Sequence, residues 1–257
     1  MPEPFEQMYA RAGRDLAALP GATLAPAPPP VAWLDGPDAP PPGRAIVVGC
    51  GLGDDAEELA RRGHRVTAFD VSPTAVARCR ERFPGTAVHH LVADVLDMPA
   101  AWTGAWDVVA ENRTIQSLEP VHWPHAVAGI AALPAPGGVA FVRCFGRDDD
   151  QPRGDTRPWP LSRRDLAGFT DAGLVEEAFA DVADPRLRGR SFTVRYRRPA
   201  PAVERSRLRR TGSRPGGWRG VGSSGPGGIG RVTGAPSATM MSSPWWATSS
   251  GAPPATQ

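Results

Sequence analysis

The stretch from Ala45 to Leu59, AIVVGCGLGDDAEEL, constrains the fold more than any other part of the chain. Ala45 to Val48 is a short apolar run with β-branched residues, suited to a buried parallel strand. Gly49, Gly51 and Gly53 follow, and glycines there let the backbone turn sharply and approach a ligand with no Cβ in the way. Asp54 and Asp55 fall where a helix begins, with Glu57 and Glu58 three residues on. That is a doubled capping-box spacing, and it sets acids against the positive end of the helix dipole. The segment reads as strand, glycine turn and helix.

The charges decide which ligand such a turn suits. A dinucleotide fingerprint needs a small sixth residue and a helix N-terminus free to receive pyrophosphate. Counting from Gly49, the sixth residue here is Asp54. Four carboxylates in the first turn and a half compete with a phosphate for the same amides and repel it. At ~5 Å and an effective dielectric near ~20, each repulsion costs about 3 kcal/mol. A positively charged ligand without phosphate fits better, and S-adenosylmethionine (SAM) carries a sulfonium, an ammonium and no phosphate.

The downstream segments fit an open α/β sheet. His64 to Asp70, HRVTAFD, reads as a second strand with an acid at its carboxyl end, 17 residues after Gly53. Asp70 then lies beside the glycine turn, where its carboxylate can accept from both ribose hydroxyls. Thr86 to Asp97 gives a third strand ending at Ala93-Asp94, placing Asp94 for an adenine amino group and Val95 for packing on the ring. A fourth strand, Ala105 to Ala110, runs into Glu111-Asn112, and a fifth, Gly138 to Phe145, follows a Pro-Gly-Gly. Gly173 to Ala180 and Ser191 to Tyr196 read as two last strands joined by a turn around Asp184-Pro185, with a helix near Ser162 to Asp171 before them. The expectation is an α/β fold: a doubly wound, mostly parallel seven-stranded sheet with a C-terminal antiparallel strand and helices on both faces.

The order VVGCGLGDDAEELA, VTAFDVSP, ADVLDMP, WDVVAENRTIQSL and LPAPGGVAFV resembles the class I SAM-dependent methyltransferases over roughly residues 40 to 199. The resemblance implies SAM as cofactor. It places the methionine end at Gly49, Cys50, Gly51, Gly53 and Asp54, the ribose at Asp70 and Val71, and the adenine at Asp94 and Val95. Members of that family often carry an acid two residues before the first glycine, where this chain has Val47. The carboxylate facing the sulfonium side is then expected from Asp54 or Glu111.

The acceptor is expected to be a small molecule offering an O, N or S nucleophile, attacked by in-line displacement in which positioning supplies much of the rate. ENRT after the fourth strand is neither an Asn/Asp-Pro-Pro-aromatic nor a Pro-Cys motif, which disfavours methylation of DNA bases. Candidate catalytic groups are Glu111, His122 and His125, the two histidines being three apart at a helix start. No wider Cys/His cluster accompanies them, so no metal is expected. His89 and His90 sit mid-strand, where only one can face the core. Trp102 and Trp106 are expected to pack. Two other classes share these features: an NAD(P)-dependent oxidoreductase using the same turn and Asp70, and a non-catalytic SAM-binding protein.

Three domains are expected: residues 1–40, an N-terminal helix from Glu3 to Leu19 acting as a lid with a proline-rich connection; 41–199, the cofactor-binding domain; and 200–257, a Gly/Ser/Pro/Arg-rich tail read as disordered. The tail has seven arginines against one acid, a net +6; the whole chain is +2, leaving −4 on residues 1–199. A negative body disfavours a duplex nucleic-acid substrate and leaves weak tail contact as the only nucleic-acid role. Cys50, Cys79 and Cys144 are odd in number and widely spaced, which argues against a disulfide framework. With no apolar run near the ~20 residues of a membrane helix and an acidic N-terminus, a cytoplasmic protein with no membrane contact is expected.

Overall fold

The computed structural model describes residues 3–16, 19, 22–184 and 189–201. Seven strands form one sheet: β1 Arg44–Val48, β2 Arg65–Asp70, β3 His89–Val92, β4 Trp106–Asn112, β5 Pro134–Gly146, β6 Val175–Asp184 and β7 Gly189–Arg197. Among the described residues six α-helices accompany them: α1 Glu3–Ala12, α2 Pro28–Leu34, α3 Asp54–Arg61, α4 Pro73–Arg82, α5 Trp123–Ala132 and α6 Arg163–Asp171. The strand order is β3-β2-β1-β4-β5-β7-β6. β1 to β5 run parallel, and β7 lies antiparallel between β5 and β6. The expected architecture is present. The tail beyond Pro201 and the turn at Pro185 lie outside the described residues.

The period of two along each strand divides the core into two layers. Ile46, Val48, Val109, Ala140 and Val142 face α5 and α6, where Trp123, Ile130, Leu166 and Phe169 pack. Ala45, Val47, Val108, Ala110 and Phe141 face α2 and α3, where Trp33, Leu34, Ala56 and Leu59 pack. Both faces of the central strands are thus covered, which is why they read as unbroken apolar runs. Trp102 lies against Phe69 at 5.1 Å and Trp106 at 6.2 Å, so these tryptophans pack as expected.

Four boundaries differ from the sequence expectation. The N-terminal helix stops at Ala12, and Gly13 follows at φ +54, a left-handed residue that ends a helix cheaply. The proline-rich connection is not extended throughout: Pro28, Pro29 and Pro30 open α2. First-turn amides have no intrahelical acceptor, so prolines there sacrifice nothing. Trp33 of this short helix stacks on Phe141 with ring centres 5.2 Å apart. β3 ends at Val92, before Ala93-Asp94. β5 begins at Pro134, with Pro-Gly-Gly inside it; a register slip between Trp106 and Val108 accommodates the extra residues. α6 meets its expectation, since Ser162 and Asp165 form a capping box. Among the described residues no helix is long and apolar enough to cross a membrane.

Candidate functional site

The chain winds outward through β1, β2 and β3, then crosses to β4 on the other side of β1. The crevice outside the carboxyl ends of β1 and β4 is the switch point where open α/β sheets bind ligands. Gly49, Gly51 and Gly53 sit there at φ +59, +55 and +87. A Cβ on Gly49 would collide with the Thr114 side chain, so glycine is needed for room as well as for its dihedral. Thr114 closes the crevice from the β4 side by donating its hydroxyl to the Val48 carbonyl at 2.9 Å.

Asp70 braces the turn from beneath. One carboxylate oxygen accepts from the Gly51 amide at 2.9 Å, the other from the Ser72 amide at 3.0 Å. Burial raises its pKa, and those backbone hydrogen bonds oppose the rise. Val71 follows directly, and Ser72 caps α4 by accepting from the Ala75 amide at 3.0 Å. Asp94, after β3, accepts from the Leu96 amide at 2.9 Å, while Val95 is buried in the α5-side core. Cys50, in the turn, is partly buried and donates its amide to the Phe69 carbonyl at 2.8 Å.

The four acids of α3 are not caps. Gly53 is the N-cap residue, in a left-handed conformation, and no side chain caps the helix. The doubled capping box is therefore absent, because each carboxylate has another partner. Asp54 pairs with both guanidinium nitrogens of Arg82 at 2.8 Å. Asp55 accepts from the Ala27 amide and the Asn112 side chain, each at 2.8 Å. Glu57 takes the Thr86 hydroxyl, and Arg61, then Arg62, hold Glu58 below the usual carboxylate range.

The acceptor-side candidates separate. Glu111 is fully buried at the end of β4, with one oxygen accepting from the Thr114 and Ile115 amides at 2.6 and 3.0 Å. Its other oxygen is buried without a hydrogen-bond partner. Burial pushes its pKa up to about 7 against the pull of those amides. Glu111 thus holds the Asn112–Ser117 turn from inside the protein. His125 is exposed on α5 and shares a 2.9 Å hydrogen bond between its Nε2 and the Leu96 carbonyl. That ties it to the loop after β3. His122 is half-buried at the end of a short 3-10 turn, Pro120–His122. His90 faces the interior and His89 does not. Among the described residues, no group of three or more His, Cys, Asp or Glu side chains is placed to hold a metal.

Several side-chain partnerships at the site carried no sequence signal. Glu6 of α1 accepts from the Ser72 hydroxyl and from both the amide and hydroxyl of Thr74, fastening α1 to the start of α4. Tyr9 places its hydroxyl 3.2 Å from where a Gly51 Cβ would stand. Phe5 lies under the Arg157 guanidinium at 5.0 Å, joining α1 to the loop after β5. The helical spacing of α1 was legible, but not these partners. A separate pocket under α2, lined by Pro30, Trp33, Leu59 and Phe141 with Asp55 and Asn112 at its edge, includes neither the glycine turn nor Asp70.

An open sheet with a glycine turn at its switch point and acids after β2 and β3 defines the Rossmann-like class of nucleoside-cofactor folds. Within that class, residues 45–138 match the family model described as Methyltransferase domain. Ubiquinone biosynthesis O-methyltransferase of Xanthomonas axonopodis pv. citri is 36% identical over 107 residues, 40% of this chain and 44% of that protein. The chain thus spans less than half the length of the curated relatives it matches. The fold is similar to 1,6-didemethyltoxoflavin-N1-methyltransferase of Burkholderia thailandensis, solved with 1,6-didemethyltoxoflavin and S-adenosylhomocysteine bound. That likeness has TM-score 0.61 and 21% identity, covering 77% of this chain and 87% of that one. It is similar also to the N-methyltransferase NodS of Bradyrhizobium japonicum, at TM-score 0.52 and 21% identity over 61% of this chain and 78% of that one. The [4+2]-cyclase SpnF has the same fold, at TM-score 0.61 and 18% identity over 76% and 95%. Residues 45–138 are thus similar to a methyltransferase domain, and the chain has the Rossmann-like fold of these structures.

Proposed function

We propose that the protein is a SAM-dependent methyltransferase acting on an O, N or S nucleophile of a small molecule. The observation that carries the reading is the buried Asp70 carboxylate at the end of β2, bonded to Gly51 within a segment that matches the methyltransferase domain. The residues fit the cofactor. Three left-handed glycines present backbone with no Cβ at the turn, and Asp70 retains lone pairs for ribose hydroxyls. Asp94 is placed after β3 for the adenine amine, with Val71 and Val95 beside the two acids. When bound, SAM supplies an electrophilic methyl group on a sulfonium sulfur.

The chain's own work is then to bind, orient and exclude water. Gly49, Cys50, Gly51 and Gly53 take the methionine end, and Tyr9 and Phe5 on α1 cover it. Glu111 acts as a positioning residue, fixing the turn that carries Asn112, Arg113 and Thr114. Asp54 serves by pinning α3 to Arg82. His125 is bonded to the loop after β3, which weakens a base role for it. An acceptor that arrives deprotonated needs no general base, only alignment. Curated relatives named ubiquinone biosynthesis O-methyltransferase, and a fold neighbour solved with 1,6-didemethyltoxoflavin, support a small-molecule acceptor. The free thiols Cys50, Cys79 and Cys144 support action in the cytoplasm.

Calorimetric titration of S-adenosylhomocysteine and, separately, NADH into the full chain tests the cofactor. Micromolar binding of the first alone supports the reading, and binding of NADH alone overturns it. A second reading follows from the cyclase neighbour, because one fold can host other chemistry. Turnover of SAM with a panel of phenols, amines and thiols separates the two.

A further inference from the structure

The loops after β4 and β5 carry arginines that cofactor binding leaves unused. Arg113 follows Asn112 at φ +68, a region few residues other than glycine adopt and one that gathers at functional sites. Its guanidinium lies over the Phe145 ring at 4.7 Å. Arg157, on the loop after β5, lies over Phe5 at 5.0 Å and over Trp159 at 5.8 Å. One buried residue joins the two places. Gln116 accepts from the Phe145 amide through its side chain and from the Trp159 amide through its carbonyl, the latter at 2.8 Å.

Short links tie both arginines to the glycine turn. Thr114, next to Arg113, bonds to the Val48 carbonyl just before Gly49. Phe5, under Arg157, is four residues from Tyr9 on α1, about 6 Å along a helix. The Tyr9 hydroxyl in turn stands 3.2 Å from where a Gly51 Cβ would be.

The geometry points to an aromatic anion as the methyl acceptor, with Arg157 and Arg113 receiving its carboxylate or phosphate group. The inference rests on the methyltransferase reading, since it names the acceptor of that reaction.

Arg157 is the sharper of the two. It is exposed, and among the described residues it makes no ion pair and no hydrogen bond to a protein acceptor. Asp155 is two residues away, yet the guanidinium lies over two rings instead. Its N–H donors are thus left for a ligand, and a guanidinium meets carboxylate or phosphate oxygens in pairs. The rings hold the side chain in place, which lowers the ordering cost of binding. The same half-buried rings of Phe5, Phe145 and Trp159 offer apolar faces to an aromatic acceptor.

The surrounding charge decides how such an anion is chosen. Residues 147–160 hold three arginines and four aspartates, and residues 1–199 sum to −4. Arg147 is engaged by Asp165, and Asp148 by Arg190. No broad positive field draws an anion in, so selectivity comes from direct pairing at the two guanidiniums. The anionic group is then a handle and not the methylated atom, because an oxygen paired to a guanidinium is a poor nucleophile.

Full-length protein, with and without S-adenosylhomocysteine, is titrated by calorimetry with benzoate, phenyl phosphate and neutral benzamide. At least one anion should bind about tenfold tighter than the amide, about 1.4 kcal/mol, and the tighter of the two identifies the group. Arg157→Gln and Arg113→Gln each reduce that preference and together abolish it. Arg157→Lys keeps the charge without the fork and retains only part of it. Arg65→Gln removes an exposed charge at the amino end of β2, the opposite end of the sheet, and retains it in full. Equal affinity for the three probes, no binding of either anion, or a preference that survives the double variant overturns the proposal. Protein that prefers the anion but binds no S-adenosylhomocysteine refutes the cofactor reading and leaves the anion site standing.

Discussion

Replacing Glu111 by glutamine should remove a pH dependence of stability that the wild-type fold carries between about pH 4.5 and 7. Glu111 is 1% exposed, and burial raises its pKa to about 7 from 4.5. The folded state therefore holds a proton that the unfolded chain releases near its ordinary value. Stability from this group is fully present below 4.5 and is lost as pH rises through 7. A shift of that size corresponds to about 3 kcal/mol at 1.36 kcal/mol per unit, and from pH 5 to pH 8 the loss is about 2.5 kcal/mol. Glutamine keeps an oxygen for the Thr114 and Ile115 amides and never ionises. Urea unfolding of both proteins at pH 5 and pH 8 isolates the effect, because other titrating groups cancel in the difference. The variant should gain about 2.5 kcal/mol on wild type between those pH values. A difference that stays flat would refute the claim that this carboxyl is held protonated by burial.

Three other outcomes follow from the same geometry. Asp70→Ala should abolish measurable S-adenosylhomocysteine binding by calorimetry and also lower stability by about 1–3 kcal/mol, since it strands the Gly51 and Ser72 amides. Gly49→Ala should lower the melting temperature markedly, because the new methyl meets Thr114 at a positive φ; a companion Thr114→Ala removes the two nearest clashing atoms and should recover most of the steric part but not the dihedral cost of roughly 1 kcal/mol. Ser162→Ala should cost about 1 kcal/mol in urea unfolding through loss of the α6 capping box, with cofactor affinity unchanged.

Sheet and turn were legible because local pattern decides them. Apolar runs of four to seven residues ending in glycine or an acid mark parallel strands, and β1, β2 and β4 fall within a residue or two of expectation. The strand order was not available from spacing alone and came with the family resemblance. What escaped were features fixed by partners distant in sequence. Pro28 to Pro30 read as a linker until Trp33 has Phe141 to stack on, 108 positions away, which gives a seven-residue helix its reason to form. Glu6 and Thr114 looked ordinary, since their meaning lies in Ser72 and in Val48. No spacing rule brings the Cys79 sulfur of α4 against the Gly51 carbonyl of the turn, 28 positions back.

The acids of α3 deserve a different weight from the one their spacing suggested. Phosphate exclusion, argued from four bare carboxylates, is reduced where a cation answers the charge. Arg82 neutralises Asp54, and Arg61 with Arg62 more than offsets Glu58. Asp55 and Glu57 keep their charge, since an amide, an asparagine and a threonine hydroxyl bind a carboxylate without cancelling it. The buried Asp70 adds a third acid beneath the turn. The bias against a pyrophosphate therefore survives with about half its original sources on α3 and one more below. Arg82→Ala makes this measurable: freeing Asp54 should weaken any anionic ligand of the turn further and leave a sulfonium ligand no worse on electrostatic grounds. Tighter binding of NADH to that variant would reverse the sign of the argument and remove charge as the reason for the cofactor.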